Sequence, residues 1–144
     1  MRAEIFQAIR SKLLLDTVLT SYIGEEQVFR SKPGAIITLP AVTLQPNSES
    51  SVVRAGYNNS KVRDNNPVLQ VDVWVSANAD GFPCSGEDVD VIVGRIDAIL
   101  LNASSPIPGT SGWMKVTSSQ QYEGDTGLWH NAARYSFRYS VIDS

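Results

Sequence analysis

The chain has 144 residues, 42% of them hydrophobic and 19% charged, with a formal net charge of −3. This composition excludes a disordered chain, and no apolar run approaches the ~20 residues of a membrane-spanning helix. A single cysteine, Cys84, and a single histidine, His130, exclude a disulfide framework, a multi-thiolate metal site and a paired-histidine motif. We expect one domain over residues 1–144, with no cofactor, no metal and no membrane contact.

Charge is distributed unevenly along the chain. Residues 1–66 carry 8 Lys/Arg and 6 Asp/Glu, or +2, whereas residues 67–144 carry 4 and 9, or −5. No basic cluster is present, so tight binding of nucleic acid through its phosphates is not expected. The N-terminus lacks the long apolar stretch of a signal peptide, and a lone cysteine suits a reducing compartment such as a cytoplasm.

The first segment, Arg2–Leu15, is predicted to be an amphipathic helix. Its apolar residues recur at helical spacing on one stripe: Ile5, Phe6, Ile9 and Leu13. Asp16 is a good N-cap for a short second helix that ends near Ile23, with Gly24 as its C′ residue. We expect the two helices to form a hairpin that covers a sheet.

Two strands and a long polar loop are predicted next. Gln27–Arg30 and Ala35–Leu44 have strand composition, and Pro40 indicates an edge position or a bend. Residues from about 45 to 66 are rich in Asn, Ser and Gly, which predicts a long polar loop; an extended hairpin over part of it is the alternative. Its basic and aromatic side chains form a candidate subunit or partner interface: Arg54, Tyr57, Lys61 and Arg63.

Val68–Ser76 is predicted to be a central strand. Strict alternation directs Val71 and Val73 toward the core and places Trp74 on the opposite face. A large exposed ring needs a partner there, so Trp74 joins the candidate interface.

The remaining elements are a long helix and a closing hairpin. Apolar residues at i, i+3, i+4 and i+7 predict a helix from Ser85 or Gly86 to Leu100, and a proline-containing linker follows. Trp113–Tyr122 and His130–Ile142 are predicted to pair around a glycine-containing turn. The predicted core combines these elements: Val71, Val73, Ile92, Ile96, Phe137 and Tyr139.

This order predicts the α+β class. We expect a mainly antiparallel β-sheet with helices packed on one face, an N-terminal helical hairpin and one central amphipathic helix.

Catalytic motifs are weak in this sequence. Asp125-Thr126-Gly127 matches the aspartic-protease tripeptide, but Asp and Gly are ordinary turn residues and the flanking residues are polar. His130 has no local nucleophile signature, and Cys84 is a lone thiol near a helix start. We therefore expect no enzymatic activity, with a small hydrolase that uses His130 as a remaining alternative.

Five segments spread along the chain follow one another in a characteristic order of helix and strand patterns: Ile5–Leu13, Gln27–Arg30, Leu39–Leu44, Leu69–Ser76 and Arg134–Tyr139. In this respect the chain resembles the tail terminator, or tail-completion, proteins of long-tailed bacteriophages. The resemblance covers nearly the whole chain.

The resemblance implies a structural role. Such proteins form a ring, commonly a hexamer, on the head-proximal end of the tail tube. The ring stops tube polymerisation and joins the tail to the head connector or neck protein. The resemblance also implies that the protein is located in the virion tail and is assembled in the cytoplasm of a bacterial host. It implies contact with DNA only while the DNA passes through the ring. Another neck or tail component, either a head-completion or a tube protein, is the alternative.

DNA must pass through such a ring, so its lumen should not hold phosphate tightly. The acidic second half supplies the candidate lumen residues: Asp72, Glu87, Asp88, Asp90 and Glu123.

Overall fold

The computed structural model describes residues 3–30, 39–55, 61–77 and 85–143. The three helices are α1 (Ala3–Leu14), α2 (Thr17–Tyr22) and α3 (Gly86–Leu100), and a 3-10 turn covers Glu25–Gln27. The five strands are β1 (Val28–Arg30), β2 (Ala41–Ala55), β3 (Lys61–Ser76), β4 (Ser111–Glu123) and β5 (Leu128–Asp143). None of the described helices is long and apolar enough to cross a membrane.

The strands form one sheet in the order β1-β2-β3-β5-β4. The short strand β1 is parallel to β2, and every other pair is antiparallel. The helix α3 packs against β3, β4 and β5, and the two N-terminal helices pack against α3. The predicted α+β class is therefore confirmed.

The alternation of β3 creates two different sheet faces. Val71 and Val73 lie on the face covered by α3 and are 1% exposed. The opposite face, which we call the open face, carries the intervening residues of β3 and their neighbours in register on β2 and β5. All six predicted core residues are buried: Val71, Val73, Ile92, Ile96, Phe137 and Tyr139.

The N-terminal helices confirm their predicted stripe and cap. The predicted stripe of α1 is buried against the core: Ile5, Phe6, Ile9 and Leu13. Asp16 caps α2 because its Oδ1 accepts the backbone N–H of Leu19 at 2.8 Å. Gly24 follows the C-cap as predicted, but its φ of −69° is extended rather than left-handed, since the chain turns there into the 3-10 segment.

The prediction of a long polar loop at about 45–66 is wrong for the described residues. The strands β2 and β3 continue through this region and pair up to Ala55 and Lys61, so the alternative of an extended hairpin is what forms. The polar residues hold strand geometry because β3 is paired on both sides, with β2 on one and the last residues of β5 on the other. We call residues 48–55 and 61–67 the arm.

The other predicted boundaries shift by a few residues. The strand predicted over Ala35–Leu44 begins at Ala41, after a cis peptide bond between Leu39 and Pro40, and its first four predicted residues lie outside the described part. Ser85 is the N-cap of α3, and its Oγ accepts the backbone N–H of Asp88 at 3.2 Å.

Candidate functional site

A network of polar side chains occupies the middle of the open face, around Asp72. Although it is a carboxylate, Asp72 is only 4% exposed. His130 donates Nε2–H to its Oδ1 at 2.8 Å, and Gln70 Nε2 donates to both oxygens at 3.2 and 3.1 Å. Gln45 Nε2 donates to Oδ2 at 3.3 Å. Side chains from three strands thus supply the hydrogen bonds of one buried carboxylate, which a charged group in a low-dielectric environment requires.

Trp74 lies beside this network and its ring is stacked. The indole is parallel to the His130 ring, with centroids 3.6 Å apart and an interplanar angle of 5°. The pair is directly opposed in the β3–β5 register, so the contact follows from strand pairing. The ring partner expected for Trp74 is thus found within the chain. Its Nε1 is buried and has no hydrogen-bond partner in the described part of the chain.

The basic interface candidates belong to the arm rather than to a loop. Arg63 is exposed on β3 and is opposed by Val53 on β2. The backbones of Arg54 and Lys61 lie in the paired strands, whereas their side chains and the whole of Tyr57 lie outside the described residues. Trp74 lies on the same strand as Arg63 but many residues further along it, so these two candidates do not form one cluster.

The acidic lumen candidates fall on two faces of the sheet. Glu87 and Asp90 are exposed near the start of α3, and Asp88 Oδ2 there accepts the backbone N–H of Ser85 at 3.2 Å. Asp72 lies on the open face, and Glu123 ends β4, where its Oε2 accepts Thr126 Oγ1–H at 3.2 Å. A lumen wall formed by the helix-covered face would therefore present only the acidic residues of α3, and one formed by the open face would present only the acidic residues of that face.

A cluster that the sequence analysis missed connects α3 to the last two strands. Lys115 Nζ donates to Asp97 Oδ2 at 2.8 Å, and the Tyr135 hydroxyl donates to Asp97 Oδ1. Burial raises the pKa of the Tyr135 phenol well above its usual range, and the hydrogen bond to Asp97 adds to this. The available signal was Lys115, a charged residue in the alternation of β4 that needed a partner on the helix side.

A second missed contact connects α2 to α3. Arg95 donates to both oxygens of Asp16 and forms an ion pair with it. The hydrogen bond from Arg95 holds the pKa of the Asp16 carboxyl below its usual range, against the opposing effect of burial. The N-cap of α2 is therefore also the contact that joins it to α3.

The geometry around His130 gives no support to hydrolysis. Its hydrogen-bond partner within the described residues is Asp72, and one face of its ring is covered by Trp74. Two clefts of the described structure lie elsewhere. The first, of about 280 Å³, is between the end of α3 and the start of β4, and the second, of about 220 Å³, is between α1 and α3.

Comparison with known proteins gives a match in fold. No protein-family model and no curated protein matches the sequence. Among solved structures, a chain from the virion of a native gene transfer agent particle is similar, with a TM-score of 0.60 and 15% sequence identity. The alignment covers 94% of this chain and 93% of that chain. At this identity the similarity shows a shared fold over almost the full length of both chains.

Proposed function

We propose that this chain is a structural protein of a phage-like virion and that it acts as a ring-forming tail terminator. The observation that carries the proposal is the fold shared with a chain of a gene transfer agent virion over 94% of the present chain. It is consistent with the element order, which resembles the tail terminator proteins of bacteriophages from the opening helix to the closing strand.

In this proposal the chain binds copies of itself, commonly six, on the head-proximal end of a tail tube. The ring stops addition of tube protein and presents its other surface to the head connector or neck protein. It resides in the virion tail after assembly in the cytoplasm of a bacterial host. Identical subunits related by one rotation make head-to-tail contacts, which close into a ring when the rotation permits.

An acidic lumen is part of the proposal. Glu87 and Asp90 contribute to it if the helix-covered face is inside, and Glu123 contributes if the open face is inside. We leave Asp72 out because its carboxylate is 4% exposed and already accepts three side chains. A lumen without surplus Lys and Arg releases few counterions from DNA, and DNA therefore passes without tight binding.

The experiment is to purify the full chain and determine its mass by light scattering and its shape by negative-stain electron microscopy. Closed rings of uniform size that stop the growth of the cognate tail tube protein are the expected result. Open-ended tubes would identify a tube protein instead. A chain that stays monomeric at high concentration, with or without tube ends, would contradict the proposal.

A further inference from the structure

The strand β4 forms one edge of the sheet and is exposed along most of its length. It pairs with β5 on one side, and the described part of the chain supplies no strand on its other side. Three large apolar side chains on this strand are half or more exposed: Met114 at 62%, Val116 at 52% and Tyr122 at 50%. An open edge of this kind presents a row of unpaired backbone donors and acceptors to solvent.

The second half of β4 lacks the features that normally protect an edge. Residues Val116–Tyr122 include no charged residue, no proline and no glycine, and all are exposed. The irregular register of β4 is confined to the residues before Thr117, and from there to Glu123 the pairing with β5 is continuous. Charges, prolines and bulges are the usual means by which edges avoid pairing with other chains.

A second open edge lies at the other side of the sheet, on the arm. The strand β1 covers β2 only from Val42 to Leu44, and none of the described residues pairs with that side of β2 further along. Val52 is 67% exposed and Val53 is 55% exposed, and the run Ser50–Val53 is uncharged. Within the described residues, the sheet therefore has an edge without a paired strand on each of its two sides.

We infer that the open edge of β4 in one copy pairs with the arm edge of β2 in the next copy. This inference rests on the proposed ring and names the contact that closes it. Along the sheet, β2, β3, β5 and β4 alternate in direction, so β4 is antiparallel to β2. In a ring whose axis follows the strands, every copy keeps the same direction, and the new pair is antiparallel like the pairs within each copy.

The end of β4 and the position of β1 fix the register. Placing Glu123 opposite Gln45 brings β4 as far along β2 as β1 permits, because β1 occupies Val42–Leu44. Counting back, and passing over Asn47 because the register of β2 shifts by one residue between Pro46 and Ser48, Val116 then lies opposite Val53, so two exposed apolar side chains become cross-strand neighbours.

This register displaces each copy along the strand direction relative to the next, by an amount that is typical of closed β-barrels. Within one copy, Thr117 pairs with Arg134, Arg134 pairs with Gln70, and Gln70 pairs with Gln45. Thr117 and Gln45 are therefore at the same height along the strands. The proposed register moves Thr117 to Val52, which is 52 − 45 = 7 residues along the chain but six pairing positions along β2, because the irregularity between Pro46 and Ser48 adds one residue. Six positions at about 3.3 Å give about 20 Å along the strands, against about 19 Å across four strand spacings. The resulting tilt is about 45°, at the upper end of the usual range for closed barrels.

The first test places lysines on the β4 edge. In the Ser118→Lys/Ser119→Lys variant both faces of the edge become cationic, and we expect at least a tenfold loss of ring at a concentration where the unaltered chain is assembled. The matched control, Ser11→Lys/Ser21→Lys, adds the same charge at exposed positions on α1 and α2 and should assemble normally. Circular dichroism of each variant confirms that it is folded.

The second test reads the contact directly by cross-linking, in a Cys84→Ser background. Copies with Val53→Cys are mixed with copies with Val116→Cys, and oxidation should give a covalent dimer of the two kinds. Val18→Cys, at an exposed apolar residue of α2, replaces Val53→Cys as the control and should not cross-link.

The outcomes separate this inference from the proposed function. If the unaltered chain forms no ring, the proposed function fails. If it forms rings while the lysine variant assembles equally well and the Val53–Val116 cross-link is absent, the edge contact is overturned and the ring stands. Efficient cross-linking of Ser119→Cys copies with each other would indicate two-fold β4–β4 pairing and would also overturn the inference.

Discussion

Truncation of Ile96 tests the packing of α3 on the sheet. Ile96 is 1% exposed, and α3 packs against β3, β4 and β5. The Ile96→Ala variant removes three buried carbon groups, at about 0.8 kcal/mol each, or roughly 2.4 kcal/mol of transfer free energy. A cavity that does not collapse, of roughly 60–80 Å³, adds roughly 1.5–2 kcal/mol. We expect a loss of about 2.4–4.4 kcal/mol in the free energy of unfolding.

The measurement is urea unfolding followed by circular dichroism and tryptophan fluorescence. All variants are compared at one protein concentration, because assembly makes apparent stability depend on concentration. Two control variants should both lose less stability than Ile96→Ala. Ile96→Val removes one carbon group and should cost about 0.5–1.5 kcal/mol. Val91→Ala, on the same helix but 39% exposed, should cost less than about 1 kcal/mol. An Ile96→Ala variant no less stable than Val91→Ala would refute the packing described for α3.

Two further predictions concern the polar contacts that hold the helices. Asp16→Asn keeps an N-cap acceptor but removes the ion pair with Arg95, and should cost about 0.2–1 kcal/mol at neutral pH. The pKa of Asp16 is lower in the folded than in the unfolded protein, so its contribution to the free energy of unfolding is fully present above the unfolded pKa of about 3.9 and is lost as pH falls through the folded pKa. The urea midpoints of the unaltered protein and the Asp16→Asn variant should therefore converge in acid. A constant difference down to the lowest pH would contradict this. Tyr135→Phe should cost about 1–2 kcal/mol because Asp97 loses a buried donor, and thermal unfolding measures it. Because burial raises the Tyr135 pKa, titration at 295 nm should give the same phenolate count for the folded protein and this variant at pH 11; one additional phenolate in the unaltered protein would contradict this.

The sequence by itself determined the elements that carry a strong periodicity. The stripe of α1, the apolar spacing of α3 and the alternation of β3 were predicted correctly, because each pattern records which side of the element must avoid water. The same reasoning placed Trp74 on the face opposite Val73. The α+β class followed from the order of these elements.

Only the tertiary structure decided the state of the polar segment at 45–66. Its composition is that of a loop, yet its described residues pair as strands because β3 there is paired with β2 on one side and with the last residues of β5 on the other. The stabilising groups are backbone donors and acceptors, which every residue except proline has and which leave no mark on composition.

The tertiary structure also decided which polar side chains are buried together. Asp72 looked like a surface carboxylate, but its partners come from positions 45, 70 and 130 on three strands. Asp97, Lys115 and Tyr135 are likewise joined across 18 and 38 residues of sequence. A carboxylate is buried only where distant donors converge on it, and that convergence depends on strand register rather than on any local pattern.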